Sequence, residues 1–413
     1  MDFENLLENL VFSKKYYTSK EIMYGTEPGL FLTPYNYQQF LAFKDSAQSE
    51  LIHSLDLKTF NDCGIYFTNA FELNALFDTY ASLVVQDYEQ KESFLSLRNM
   101  DDMTLSRIYS EVEGTLNIES VPTTRKVVAD LANGKRDPKT LNDQIIKNML
   151  DGIEFVNKCP EFNEDNLFKL YLILSKGCLE DYHRLKDNEL YRYDTVTIGN
   201  YKGCPVNKIK ECMDSLFEFV NEHLTDSEYL FYLPHIAHYY IAYIHPYFDY
   251  NGRTARMVSY WVSLLTNQNI LPPVISEAIN QTKNQYYAAL SETRDAHNDL
   301  TYFLLYIYKV SISYFLTYKN IEEAEQTLLN KGIILTVAEK AHLKKIMISN
   351  NGKFTHKDFT KWVDVDMSKQ GALKILNKLC DYDLLISSIP EKSNIKIFEV
   401  NPKIIKYRVN KEQ

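Results

Sequence analysis

Residues 245–256 read His-Pro-Tyr-Phe-Asp-Tyr-Asn-Gly-Arg-Thr-Ala-Arg (HPYFDYNGRTAR), and this stretch decides the fold. A strongly apolar segment precedes it (LPHIAHYYIAYI, 233–244) and another follows (MVSYWVSLL, 257–265), so a polar turn joins two buried helices. Each residue type in the turn has a use. His245, at a helix end, can take a proton from a hydroxyl nucleophile. Asp249, four residues on, can hold a divalent cation that binds phosphate oxygens. Asn251-Gly252 lets backbone N–H groups turn inward as an anion nest at the start of the next helix. Arg253 and Arg256 lie three apart on that helix, so both reach the same side and can grip phosphates. A His-Pro, an Asn-Gly or an Arg pair alone is ordinary turn or surface chemistry; their joint spacing points to a nucleotide-phosphate site with a base beside it.

Working outward, Asp165–Lys176, Val206–His223 and Tyr229–Ile244 place apolar residues three and four apart, and most of the chain to about residue 320 reads as helical. One interruption is Leu190–Ile198 (LYRYDTVTI), which alternates and is rich in β-formers, with Gly199, Asn200 and Gly203 after it; it reads as a short hairpin. The expected fold class is therefore mainly α with an inserted β-hairpin. The 413 residues allow two or three domains, and a charged stretch (KNIEEAEQTLLNK) marks a boundary near Thr317–Leu335. The division expected is 1–155, a helical region; 156–318, the core; and 330–413, a separate module.

Composition narrows the class further. The net charge of −10 argues against nucleic acid binding over the whole surface. The charge is uneven: residues 331–413 hold 16 Lys/Arg against 9 Asp/Glu, and the remainder holds 29 against 46. Six scattered cysteines without CxxC spacing read as reduced thiols. Met1–Lys20 has acidic residues and no apolar core, and no run of about 18 apolar residues occurs, so no membrane association is expected and the location expected is cytoplasmic. No GxxxxGK[ST], HExxH or Gly-x-Ser-x-Gly motif is present.

The 245–256 segment resembles the signature of the Fic (Fido) family, His-Pro-Phe-x-Asp-Gly-Asn-Gly-Arg-x-x-Arg, with Tyr247 for Phe and Tyr250 for the first Gly. The preceding helix, Leu271–Leu290 and the hairpin followed by Pro205 are similar to the equivalent family segments, so the resemblance spans roughly residues 160–312. It implies protein adenylylation with Mg²⁺ and ATP. His245 would deprotonate the target hydroxyl and Asp249 would position the metal. Asn251, Gly252 and Arg253 would hold the α- and β-phosphates, Arg256 the γ-phosphate, and Tyr287 would border the adenine. The hairpin (Tyr193, Thr195, Val196, Thr197, Ile198) would dock a target protein as an added strand. Tyr250 raises the alternative of another transferred phosphate-linked group, or of AMP removal. If its position needs φ above zero, a bulky residue there costs about 1–2 kcal/mol.

Upstream, Ser110-Glu-Val-Glu113-Gly114, in a candidate helix from about Thr104 to Asn117, resembles the family's inhibitory motif, Ser/Thr-x-x-x-Glu-Gly/Asn, which implies that Glu113 pairs with Arg256. The same spacing also fits a capping box, and the hydroxyl position is occupied by Tyr109. In the C-terminal module, helices at Ala338–Ile348, His356–Val363 and Ser368–Cys380 (capped by Asp366 or Ser368), then strands at Leu384–Ser388 and Ile395–Val400, resemble a winged helix-turn-helix. Its third helix would expose Lys369, Gln370, Lys374, Asn377 and Lys378, with Lys392 and Lys396 on the wing, a face that could take DNA, although no Arg lies on it. A DNA-bound regulator that only senses a nucleotide is thus a third reading, and packing or homo-oligomer formation is an equally open use of the module.

Overall fold

The computed structural model describes residues 8–24, 34–61, 63–88, 102–199, 201–266, 275–349, 352–363, 367–391 and 394–407. The chain forms two compact units, Met1–Val310 and Ser311–Gln413. In the first unit the helices are α1 Ser19–Tyr24, α2 Pro34–Ala47, α3 Phe71–Tyr88, α4 Asp102–Ile118, α5 Arg125–Ala132, α6 Leu141–Lys158, α7 Glu164–Ser175, α8 Val206–His223, α9 Leu233–Ile244, α10 Asn251–Thr266, α11 Ile275–Gln281 and α12 Lys283–Asp295; α13, Thr301–Leu329, contains the boundary between the units. Strands β1 Ile52–Leu55 and β2 Ile65–Thr68 form one antiparallel pair, and β3 Thr197–Ile198 and β4 Tyr201–Lys202 another.

Local chemistry sets the helix ends that matter for the site. Thr140 and Asp143 close a capping box at the start of α6, and Asn163 caps α7 through the Asn166 amide at 2.9 Å. Helix α9 is apolar round nearly its whole circumference, and Leu233, Ile236, Ala237, Ile241 and Ile244 are all buried. Helix α10 packs along it, with Trp261 fully buried and its indole N–H donated to the Cys159 carbonyl at 2.9 Å. The N-terminal segment is locked to this body by a buried ion pair, Lys44–Asp299 at 2.6 Å, whose carboxylate also accepts the Tyr16 hydroxyl. Removing one partner of such a pair costs on the order of 3–5 kcal/mol.

The alternating stretch 190–198 differs from its expected form. Only Thr197–Ile198 is strand, paired with Tyr201–Lys202, so the hairpin lies further along the chain than the alternation suggests. The reason is tertiary: consecutive Tyr191 and Arg192 are both buried, which a two-residue alternation cannot satisfy.

In the second unit, α14 Val337–Ser349, α15 His356–Trp362 and α16 Lys369–Asp381 surround a core of Leu343, Ile346, Phe359, Leu376, Leu379 and Phe398. Strands β5 Phe354–Thr355, β6 Leu385–Ser388 and β7 Ile397–Val400 pair antiparallel in the order β5-β7-β6. Ser368 caps α16 through the Gly371 amide at 3.1 Å, whereas Asp366 and Lys392 lie outside the described residues. Lys369, Gln370 and Lys374 are exposed, but Lys378 is paired with Glu339 at 2.5 Å and Lys396 donates to Asn377 at 2.7 Å. Among the described residues all six cysteines are free thiols, and no helix is long and apolar enough to cross a membrane.

His235 on α9 is buried against the Tyr80 and Tyr308 rings, neither ring nitrogen has a hydrogen-bond partner among the described residues, and burial pushes its pKa down to about 3. The unfolded chain therefore binds this proton first as pH falls below about 6.5, and stability declines across that window. We expect His235→Leu to remove roughly 2 kcal/mol of the stability difference between pH 7 and pH 5. Urea midpoints at the two pH values measure it.

Candidate active site

The site is built where α9 stops. His245 sits at the C-cap of that helix in the left-handed region (φ 57°, ψ 61°), with Nδ1 3.4 Å from the Ala242 carbonyl. Burial pushes its pKa down to about 4, with the Ala242 carbonyl opposing, so the imidazole is neutral at pH 7 and can accept a proton. Pro246 and Tyr247 follow. The Tyr247 ring is fully buried and stacks on Tyr171 at 3.8 Å, which is why a tyrosine serves where the family signature has phenylalanine; its hydroxyl has no partner among the described residues. Asn251 then clamps the loop: its Oδ1 accepts the Tyr247 N–H at 2.9 Å and its Nδ2 donates to the Tyr247 carbonyl at 2.8 Å. Its side chain therefore shapes the turn, and what remains for a phosphate is the backbone at the start of α10.

Tyr250 adopts φ 66°, so the strain expected from its position in the signature is present, about 1–2 kcal/mol. Its ring lies under the Arg253 guanidinium, 3.5 Å from centroid to Cζ. Arg253 is buried, its Nε has no partner among the described residues, and its Nη2 is 3.5 Å from Asp249 Oδ1. Asp249 is half-exposed; Oδ1 accepts the Tyr250 N–H at 2.6 Å and Oδ2 is 3.9 Å from His183 Nδ1. Among the described residues no cluster of three His, Cys, Asp or Glu side chains could cage a metal ion. A lone accessible carboxylate fits a cation that keeps most of its ligands as waters and substrate phosphates, which is how Mg²⁺ binds.

Arg256 is fully buried, and its partners correct the expectation of a Glu113 pair. Its Nε donates to Thr115 Oγ1 at 2.7 Å, and its Nη2 to the Thr115 carbonyl at 3.3 Å and to Glu119 Oε1 at 2.6 Å. Burial works against the Glu119 carboxylate, but the Arg256 guanidinium holds its pKa below the usual value. Glu113 lies six residues earlier, roughly 9 Å back along the helix and about 120° round it, so one helix cannot offer both carboxylates to the same guanidinium. The segment Thr115-Leu-Asn-Ile-Glu119-Ser120 has the hydroxyl and the glutamate at inhibitory spacing, with Ser120 at φ 59° where the motif has Gly or Asn. That serine is what hid it. Gly252 makes the approach possible, since a Cβ there would fall 2.6 Å from Glu119 Oε1.

Ser110 and Gly114 act otherwise. Ser110 is buried in α4. Gly114 lies against the backbone of α11, where a Cβ would come within 2.5 Å of the Glu277 nitrogen. The neighbouring Glu111 accepts the Ser276 N–H at 3.0 Å and the Ser276 hydroxyl, and burial pushes its pKa up to about 7. Lys283 donates to the Ile118 carbonyl at the end of α4. Tyr287 is 44% exposed on α12, with Lys283 6.0 Å from its ring. Residues 271–274 of the family-like segment lie outside the described residues.

Residues at the base of the flap complete the site. Tyr193 meets Phe248 edge-on at 5.0 Å and carries Lys186 over its ring, Thr195 and the β3 pair Thr197–Ile198 are exposed, and the Val196 carbonyl accepts the Gly203 N–H at 3.1 Å. Arg192, missed by the sequence reading, joins flap to base. Its Nε donates to the His245 carbonyl at 2.8 Å, Nη1 to the Asp194 carbonyl at 2.7 Å, and Nη2 to the Cys204 carbonyl. Its own N–H reaches the Pro246 carbonyl at 2.9 Å. Among the described residues no carboxylate pairs with it, so a buried cation is held by carbonyl dipoles alone.

Residues 161–263 match the Fic/DOC family, and this part of the chain is a Fic domain. Fic domains generally transfer nucleotide-phosphate groups to proteins. Among solved structures, the chain resembles a Fic family protein from Desulfovibrio desulfuricans G20 at 16% identity and a TM-score of 0.49, over 80% of this chain and 95% of that one. It also resembles Fic-1 from C. elegans at 19% identity and a TM-score of 0.45, over 61% and 72%. A third likeness is to a Fic-domain-containing signalling protein from Bacteroides thetaiotaomicron, at 16% identity and a TM-score of 0.42, over 60% and 94%.

We expect Arg192→Met to leave three carbonyls without their donor, lowering stability by roughly 3 kcal/mol. Cleavage of the flap near residues 197–202 in limited proteolysis should become at least tenfold faster than in the parent, while sites in the second unit keep their rates.

Proposed function

We propose that this chain transfers AMP from ATP to a hydroxyl side chain of a target protein, and that Glu119 restrains it. The observation that carries the reading is the buried Arg256–Glu119 pair set beside a neutral His245 and an Arg253 whose Nε lacks a partner among the described residues. Arg253 and the first amides of α10 receive phosphate oxygens, and Asp249 holds Mg²⁺, which supplies charge neutralisation for the phosphates. The target's hydroxyl proton passes to the free nitrogen of His245, its oxygen forms a bond to the α-phosphorus, and the bond to pyrophosphate breaks. An extended target segment lies along β3–β4 as an added strand and brings its hydroxyl to the imidazole. The work is done in the cytoplasm, where ATP and reduced thiols coexist.

Restraint follows from the same contacts. With Glu119 on Arg256, the guanidinium that would take the γ-phosphate is occupied and a carboxylate stands next to Gly252. A triphosphate then settles with its α-phosphorus out of line for attack. Such an arrangement loses activity through orientation rather than through affinity.

Glu119→Gly should raise incorporation of label from ATP labelled at the α-phosphate by tenfold or more, into the protein itself and into targets. Adding His245→Ala to that variant should abolish it. Label that enters regardless of His245, or only from the γ-phosphate, would sink the reading.

A second expectation concerns the seat of α4. Gly114→Ala places a methyl group against rigid backbone of α11, so α4 must lift and withdraw Glu119. Activity should rise toward that of Glu119→Gly, and the double variant should gain nothing more. A folded Gly114→Ala protein as inactive as the parent argues against this linkage.

A further inference from the structure

Four contacts converge on Tyr250. Its backbone is held in the left-handed region at φ 66°, where Gly and Asn are at ease and a bulky side chain is strained. Its N–H donates to Asp249 Oδ1 at 2.6 Å, and its carbonyl accepts the Thr254 N–H at 2.9 Å. Its ring lies 3.5 Å from the Arg253 Cζ, close enough that ring and guanidinium must stack face to face. Its hydroxyl neighbours the thiol of Cys178, on the segment after α7. The ring is thus held by its backbone at one end and by the guanidinium across its face. The guanidinium above it is buried, and its in-plane Nε has no partner among the described residues.

Stacking uses the face of a guanidinium and leaves its edge, which carries all five N–H donors. Asp249 reaches only Nη2, at 3.5 Å, so the guanidinium would otherwise turn its remaining donors toward whatever carbonyl it could reach. We infer that Tyr250 is a positioning residue for phosphate recognition: its ring holds the Arg253 guanidinium face-on so that the donor edge, with its unpartnered Nε, stays available to an oxygen of a nucleoside triphosphate. The inference rests on the proposed phosphate role of Arg253. Strain retained at a functional position is the expected signature of such a device.

A positioning role and a packing role predict different results when the ring is removed. Tyr250→Gly and Tyr250→Asn both suit a positive φ and both lack the ring, so each relieves the backbone while freeing Arg253. Made in the Glu119→Gly protein and titrated with ATP by calorimetry, both should bind roughly five- to thirtyfold more weakly, the range a desolvated cation–π contact sustains. The thermal midpoint should stay level or rise. Tyr250→Phe keeps the ring, loses only the hydroxyl, and should bind within twofold of its parent. Arg253→Gln serves as the control and should lose binding. If Arg253→Gln loses affinity while both ringless variants keep it, the role given to Tyr250 is wrong and the phosphate site stands. If Arg253→Gln binds ATP like its parent, the phosphate reading itself falls and the inference falls with it. A ringless variant that loses affinity and melting temperature together marks Tyr250 as packing only.

Discussion

Arg256 is a cation with almost no contact with water, and the arrangement around it follows from that. A guanidinium in such a place needs hydrogen-bonded, oppositely charged company. Thr115 provides a hydroxyl and a carbonyl, and Glu119 provides the charge. Both come from the last turn of α4 and the residues just past it, so the charge requirement of one side chain on α10 fixes where a helix more than a hundred residues upstream must lie. Gly114 against the α11 backbone, Glu111 on Ser276 and Lys283 on Ile118 fix the same helix along its length.

Much of the first unit was legible in the chain itself. The 245–256 turn was legible as a polar loop between two apolar helices because five distinctive residue types fell there at fixed spacing. The extents of α7, α8 and α9 followed from apolar periodicity to within a few residues. What the sequence obscured had two physical sources. Just past α4, Ser120 takes the left-handed conformation usually given to Gly or Asn, so a search by residue type settled on Glu113 rather than on the Arg256 partner Glu119. Geometry decides between the two registers, since six residues of helix turn Glu113 about 120° away from the side that meets Arg256.

At the flap, the alternation that suggested strand belongs to residues with other duties. Tyr191 and Arg192 are pulled inward together, and Arg192 bonds carbonyls on three separated stretches of chain. Nothing in local sequence distinguishes such an arginine from a solvated one. Its role emerges only when the His245 and Cys204 carbonyls are brought beside it by the fold.

That arginine has a thermodynamic consequence. One rigid cation shares its donors between the peptide that carries the imidazole and the two stems of the hairpin, so order at either end is felt at the other. Linkage makes the effect mutual. Under the proposed function, a nucleotide that steadied the turn would strengthen the grip of the edge strand on an arriving polypeptide by the same factor that the polypeptide would strengthen the hold on nucleotide. Substrate choice and cosubstrate retention would then be two readings of a single stiffness.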